Sequence, residues 1–320
     1  NMETHRSVVG YVLGALSSFL VVGACGSDPL PPAEYPAVEA PPPVVAEPVA
    51  PPPAAVEPPP PPPVQVVAGE ATPLTEAAPT VKIKSPASGK LIKTGDVMLK
   101  VEIKNWTLTA DGTHLHLIVD NEPYIAVRDV TKPINVSALV RENLGHELAD
   151  GTHVVRLFPG HGHHESVKLA GAFATLVFHN KTKTEGFVFD VTAPLLTFSR
   201  PKGCAVTGTR VLLDFFVSNA ELSATGTRVR YTIDGSLTGD ITTWAPHYIE
   251  NLAEGPHALR LALVSADGSA AAGIFNDTTR TITVAAECTP PAAAPAAAPA
   301  PAAPIATPSA PAATTPATSQ

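Results

Sequence analysis

Residues 148–157 read Leu148-Ala149-Asp150-Gly151-Thr152-His153-Val154-Val155-Arg156-Leu157, and residues 252–261 read Leu252-Ala253-Glu254-Gly255-Pro256-His257-Ala258-Leu259-Arg260-Leu261. Both carry a Gly-x-His turn that leads into alternating apolar and polar residues, at an offset of 104. A longer match lies upstream. Residues 85–121 align with 199–235 without a gap at an offset of 114, and ten of 37 positions are identical. Among them are Gly89/Gly203, Val97/Val211, Leu99/Leu213, Asn105/Asn219, Leu108/Leu222, Gly112/Gly226, Thr113/Thr227 and Asp120/Asp234. The first copy therefore holds ten extra residues between its two blocks. Similarity sustained over this length marks an internal duplication.

Each copy reads as short strands. Val97, Leu99, Val101 and Ile103 alternate with Lys100, Glu102 and Lys104, Leu115, Leu117 and Val119 with His114 and His116, and Val155 and Leu157 with Arg156. Period two with one apolar face predicts half-buried strands. Expected strands are B (96–104), C (113–120), F (153–159) and G (172–179) in the first copy, and 210–218, 227–234, 257–264 and 279–285 in the second. No stretch shows a convincing helical period. The expected class is all-β, two tandem sandwiches of about seven strands each. The pattern resembles immunoglobulin-like and fibronectin type III-like modules of bacterial surface proteins. The run His114-Leu115-His116-Leu117-Ile118-Val119-Asp120 followed by Leu148-x-x-Gly151-x-His153 is similar to a small periplasmic family of unknown function. Tyr231-Thr232-Ile233-Asp234-Gly235 resembles the YTxDG strand of sandwich modules appended to carbohydrate-active enzymes. Folds of this kind carry many functions, so the resemblance implies architecture and not activity.

Of 36 prolines, 28 fall in 29–79 and 290–316. The intervening 81–288 carries 20 Lys+Arg against 21 Asp+Glu. That near-neutral body has no basic field for nucleic acid. The expected organisation is a signal peptide at 1–24, a Pro-rich disordered linker at 25–80, sandwiches at 81–192 and 193–288, and an Ala/Pro-rich disordered tail at 289–320. Proline runs at 41–43, 51–53 and 58–63 favour a semi-rigid polyproline spacer, and the uncharged tail has too few large apolar groups to order itself.

The address is written at the N-terminus. Arg6 precedes an apolar run of 17 residues, 8–24, which is short for a spanning helix and ends in small residues before Cys25. Val22-Gly23-Ala24-Cys25 resembles the lipobox of bacterial lipoproteins. That resemblance implies acylation at Cys25, membrane attachment through the acyl chains, and a cell-envelope location. With Gly26 after the cysteine it implies the outer membrane. Cys204 and Cys288 remain. In a sandwich whose first strand runs parallel to its last, these positions meet at one pole, and a disulfide closing 83 intervening residues would stabilise by ~4 kcal/mol in the chain-entropy model.

Eight of 11 histidines lie in the first copy, and the second copy serves as an internal control. His153 matches His257, so the fold itself uses it. His114 and His116 match Arg228 and Arg230, which reads as an outward, permissive face. His161, His163 and His164 match Ser265, Asp267 and Gly268. Strand C lies antiparallel to F, so the start of C adjoins the F–G loop. His114, His116, His161, His163 and His164 are therefore expected near one another as candidate ligands for Zn or Cu, with Glu165 as an extra oxygen and Trp106 as a shield. A solvated His-rich loop or a pH-sensing surface are the competing readings. No nucleophile elbow, phosphate loop or HExxH motif is present, and no enzyme is expected. Three functions stand open: a non-enzymatic envelope display or structural module with an unknown protein partner, a metal-binding protein, and a polysaccharide- or peptidoglycan-binding module. Tyr124, Trp244 and Tyr248 are the aromatics available to the last.

Overall fold

The computed structural model describes residues 59–288, and the signal segment, Cys25, the first part of the spacer and the tail lie outside them. The described chain is almost all strand. After β1 (Gln65–Ala68), the first copy comprises β2 (Thr80–Ser85), β3 (Lys90–Ile92), β4 (Met98–Lys104), β5 (His114–Val119), β6 (Ile125–Val127), β7 (Ile134–Asn135), helix α1 (Val136–Leu144), β8 (Gly151–Gly160) and β9 (Ala174–Asn180). The second comprises β10 (Leu195–Arg200), β11 (Cys204–Val206), β12 (Val211–Ser218), β13 (Arg228–Ile233), β14 (Leu237–Ile241), β15 (His247–Glu250), β16 (Gly255–Val264) and β17 (Asp277–Ala285). The first sandwich packs the sheet β2-β4-β7 on β3-β9-β8-β5-β6, and the second packs β1-β15-β12-β10 on β11-β17-β16-β13-β14.

The apolar phase of each strand builds the core. Leu99, Leu115, Leu117, Val155, Leu157 and Phe178 meet in the first sandwich, and Leu213, Phe215, Val229, Leu259, Leu261 and Ile282 in the second. Burying one such side chain contributes about 1.5–3 kcal/mol. The shared identities sit where the backbone is demanding. Asn105 and Asn219 adopt φ of 54° and 59°, and Asp120 and Asp234 adopt 51° and 50°. Asn and Asp tolerate this left-handed region better than most side chains. His153 Nδ1 donates to Asp120 Oδ2 at 2.7 Å and its Nε2 donates to the Ala149 carbonyl at 2.8 Å; His257 repeats both bonds to Asp234 and Ala253 at the same distances. The Gly-x-His turn is thus a structural clamp, as the duplication implies.

Strand order follows the expected topology. β3 runs parallel to β9, β11 runs parallel to β17, and β5 is antiparallel to β8 with His114 opposite Gly160. The parallel β11–β17 pair brings Cys204 and Cys288 together in a disulfide with a Cα–Cα distance of 5.6 Å.

Three features depart from the expectations. First, the extra residues of the first copy include a helix. Asn135 Oδ1 accepts from the Ala138 amide at 3.0 Å, Gly145 closes α1 at φ 78°, and Val136 and Val140 are buried. A stretch of nine residues with so few buried positions is too short to register as a period. Second, the segment read as free spacer is built into the body. β1 pairs antiparallel with β15, and the chain then crosses to the first sandwich at β2. Third, the polar phases of β5, β8 and β12 do not face water. The sandwiches dock through them: Phe158 meets Phe216 with ring centroids 4.9 Å apart, and Phe216 meets Phe173 at 5.1 Å and Trp244 at 4.9 Å. Every residue of β5 and β8 is buried.

Candidate metal centre at the joint between the sandwiches

The F–G loop of each sandwich is a tight hairpin. In the second, the Ser265 amide donates to Ser269 O at 2.8 Å, the Gly268 amide donates to Ser265 O at 2.9 Å, and Gly268 has φ 83°. In the first, His161 donates to Glu165 O and His164 donates to His161 O, both at 2.8 Å, and His164 has φ 73°. A type I turn closed by a left-handed residue favours glycine at that last position. The second copy obeys the preference and the first places a histidine there. A non-glycine residue held in this region marks strain retained at a site.

That loop delivers His164 to the start of β5. His164 Nδ1 lies 3.2 Å from His114 Nε2, and His114 Nε2 lies 3.1 Å from His116 Nε2. The ligand atoms of these side chains all fall within 4.8 Å of one another. His114 Nδ1 donates to the Gly112 carbonyl at 2.9 Å. A carbonyl only accepts, so the proton of neutral His114 is on Nδ1 and its Nε2 carries a free lone pair. His116 Nδ1 meets Ser199 Oγ of the second sandwich at 2.9 Å. A hydroxyl donates or accepts, so Ser199 serves whichever tautomer His116 adopts. His114 and His116 are completely buried and His164 is half-buried.

Space for His116 is made by Gly160. A Cβ there would lie 2.5 Å from His116 Nε2. The corresponding residue of the second copy is Val264, opposite Arg228. The Tyr124 ring stacks on His116 at 4.0 Å, and Phe158 meets it edge-on at 5.2 Å. Arg200 donates to Tyr124 Oη at 2.6 Å, and Lys202 donates to the Tyr124 carbonyl at 2.7 Å with its Nζ 4.0 Å above the ring. Arg128 donates to the same Gly112 carbonyl at 2.8 Å.

The electrostatics keep the imidazoles neutral. Burial first, and then the charges of Arg128, Arg200 and Lys202, hold His114 below the ordinary histidine value in spite of the Gly112 bond. Burial pushes His116 well down, with His114, His164 and the cations adding to it. His164 is lowered to about 3 by burial, then by Arg200, His114, Lys202 and Arg128. Lys202 is lowered to about 8, by burial and then by Arg200 and Arg280, and is still charged at neutral pH.

Of the expected ligands, His161 and His163 do not join. His161 stands edge-on to Trp106 at 5.1 Å and stacks on His163 at 5.6 Å. His163 Nε2 donates to Glu165 Oε2 at 2.9 Å. Glu165, also a candidate, is buried and accepts from the Thr72 amide at 2.9 Å and from Thr72 Oγ1 at 2.6 Å. The hairpin turns His163 and Glu165 toward Thr72, in the strap that joins β1 to β2, and His161 toward Trp106, and it sends His164 to His114. Trp106 shields His161 and not the cluster. His114 and His116 do point outward from their own sandwich, but the second sandwich covers them. The aromatics proposed for sugar stacking are engaged: Tyr124 is buried under Lys202, Trp244 packs on Phe216, and Tyr248 lies under the Arg210 guanidinium at 3.9 Å. Residues that the sequence did not single out are Gly160, Ser199, Arg200 and Lys202. Only Gly160 left a trace, as the Gly160/Val264 mismatch between copies.

No family model and no curated protein matches the chain. Among solved structures, the fibronectin(III)-like modules of Clostridium thermocellum CbhA match at 14% identity over 65% of this chain and 95% of that one, with a TM-score of 0.24. The Bacteroides ovatus mixed-linkage glucan utilization locus protein SGBP-B, solved with a mixed-linkage heptasaccharide, matches at 14% identity over 64% and 70%, with a TM-score of 0.20. The Parabacteroides merdae β-glucuronidase matches at 10% identity over 65% and 24%, with a TM-score of 0.19.

Proposed function

We propose that this chain is a lipid-anchored protein of the cell envelope whose docked sandwiches bind one transition-metal ion between His114, His116 and His164. The observation that carries the reading is that His114 Nε2 stands 3.1 Å from His116 Nε2 and 3.2 Å from His164 Nδ1, with all three ligand nitrogens within 4.8 Å of one another. Nitrogens about 2.0–2.1 Å from a zinc ion stand a little over 3 Å apart in a tetrahedral shell, so these spacings suit a shared ion. Room and strain are spent on this arrangement in one copy of the repeat only. Arg228, Gly268 and Val264 hold the equivalent places in the other. An ion between the rings replaces their mutual hydrogen bonds: His116 passes its proton to Nδ1, toward Ser199, and His164 to its Nε2. Metal binding at neutral pH then needs a tautomer change and no net deprotonation.

The test is metal content of the chain purified without a histidine tag and incubated with Zn²⁺, with Cu²⁺ or, under ascorbate without oxygen, with Cu⁺. One ion per chain is expected. His164→Gly relieves the left-handed strain while deleting a ligand, so it leaves stability intact or raised and abolishes binding. Gly160→Val, the residue of the second copy, drives into the His116 ring. It is expected to cost about 1–3 kcal/mol and to lose the ion as well. A wild-type chain that takes up none of the three ions ends the reading and leaves a tethered display module. Attachment rests on the lipobox at Cys25. Labelled palmitate should enter the wild-type chain and not Cys25→Ser, and equal labelling of both would remove the anchor.

A further inference from the structure

We infer that the ion for which this pocket is built is monovalent copper; this deepens the metal-binding reading and rests on it. The ligand type alone does not choose, because imidazole accepts zinc and both copper states. The charge around the ligands does. None of the donors His114, His116 and His164 is anionic. Their surroundings are cationic. Arg128 shares the Gly112 carbonyl with His114, and Arg200 and Lys202 clasp Tyr124, whose ring lies flat on His116.

The carboxylates of the joint are committed elsewhere. Asp214 accepts from Lys168 at 2.6 Å and from Ser166 at 3.0 Å, and Glu165 holds Thr72 and His163. Repulsion from fixed cations scales with the charge of the incoming ion, so Cu⁺ meets half of what Zn²⁺ or Cu²⁺ meets. Coordination number points the same way. Zinc completes a three-histidine set with water or another ligand in a fourth position. Here the Tyr124 and Phe158 rings wall the His116 side at 4.0 and 5.2 Å. A d¹⁰ Cu⁺ ion is satisfied by three nitrogen donors in a plane and needs neither a fourth ligand nor a counter-anion. An aromatic, cation-lined, low-coordination pocket therefore discriminates by charge.

The experiment uses the full chain carrying Cys25→Ser. This removes the free thiol, and Cys204–Cys288 is already a disulfide. Cu⁺ affinity is measured without oxygen, under ascorbate, by competition with bathocuproine disulfonate, and Zn²⁺ affinity by competition with a chromogenic zinc chelator. Expected is one Cu⁺ per chain, bound about a hundredfold or more tighter than Zn²⁺, and lost in His164→Gly. Lys202→Gln, which keeps a donor for the Tyr124 carbonyl, should raise Zn²⁺ affinity by about tenfold and Cu⁺ affinity by less. Zinc binding as tight as copper, or a Lys202→Gln chain with unchanged zinc affinity, overturns the copper assignment while the metal site stands. Absence of binding by either ion overturns both.

Discussion

His153 and His257 show what a histidine does when the fold owns it. Each ring is flanked by a carboxylate on Nδ1 and a carbonyl on Nε2, and both partners only accept. The doubly protonated ring satisfies them together, so the bonds favour the imidazolium. Burial opposes the charge at both positions, but the aspartate and the carbonyl outweigh it, and both histidines titrate above the ordinary value. A group whose folded pKa is raised contributes stability that is fully present below the unfolded value, about 6.5, and is lost as pH rises through the folded value. In urea unfolding, the stability gap between wild type and His153→Gln should therefore be widest near pH 5.5 and narrow toward pH 8.5. A gap that widens with pH would mean the ring is neutral in its clamp. The imidazoles of His114, His116 and His164 contrast with this: they face one another and cations, and share no carboxylate.

At the level of elements, the strap before β2 deserves the weight usually given to a strand. β1 extends the second sandwich through register pairs from Gln65↔Glu250 to Ala68↔His247, Thr72 then binds Glu165 of the first, and the chain enters β2 at Thr80. One segment thus stitches both bodies. Its hold on Glu165 also turns that buried carboxylate and His163 away from the His114, His116 and His164 group. Burial alone would raise the Glu165 carboxyl, but its bonds from Thr72 and His163 bring it below the ordinary value. Thr72→Val removes the hydroxyl and leaves the amide bond, and is expected to cost about 1–2 kcal/mol. It should also accelerate amide exchange across β1 and the 161–165 loop and leave β13–β14 unchanged. Exchange that changes nowhere in the strap would show that the Thr72 hydroxyl does not tie it down. Strap and helix α1 were both illegible in the sequence for one reason. Each is short, and each is ordered by what it packs against and not by its own period.

At the scale of the whole molecule, the joint between the sandwiches resembles a core cut in half. Aromatic rings supply the area, one buried ion pair crosses it, and a buried arginine crosses it without a carboxylate partner. Lys168 and Asp214, with side chains 4% and 0% exposed, stand 2.6 Å apart. Arg156, fully buried, donates to Thr197 Oγ1 at 3.0 Å and lies over the Phe275 ring at 4.5 Å. Burial, more than the opposing pull of Asp120, lowers Arg156 to about 9. Removing one member of a buried pair strands the other, so Asp214→Asn should cost about 3–5 kcal/mol. Calorimetry should show one cooperative transition for both sandwiches in the wild type, and that variant should separate it into two. Two independent transitions in the wild type would mean that the sandwiches are only neighbours.

From the sequence alone, the duplication, the strand phases, the Cys204–Cys288 pairing and the structural role of His153 were readable, because each depends on local period or on one copy checking the other. The site was half readable. The repeat exposed His114, His116 and His164 as departures, but the same reading admitted His161, His163 and Glu165. Which imidazoles converge was decided by side-chain direction in a five-residue hairpin and by the strap that claims the other face. That the outward histidines lie in a buried, cationic joint was decided only when the second sandwich docked on them. A strand pattern records which residues leave one core, and it holds no record of a second surface brought against them from far along the chain.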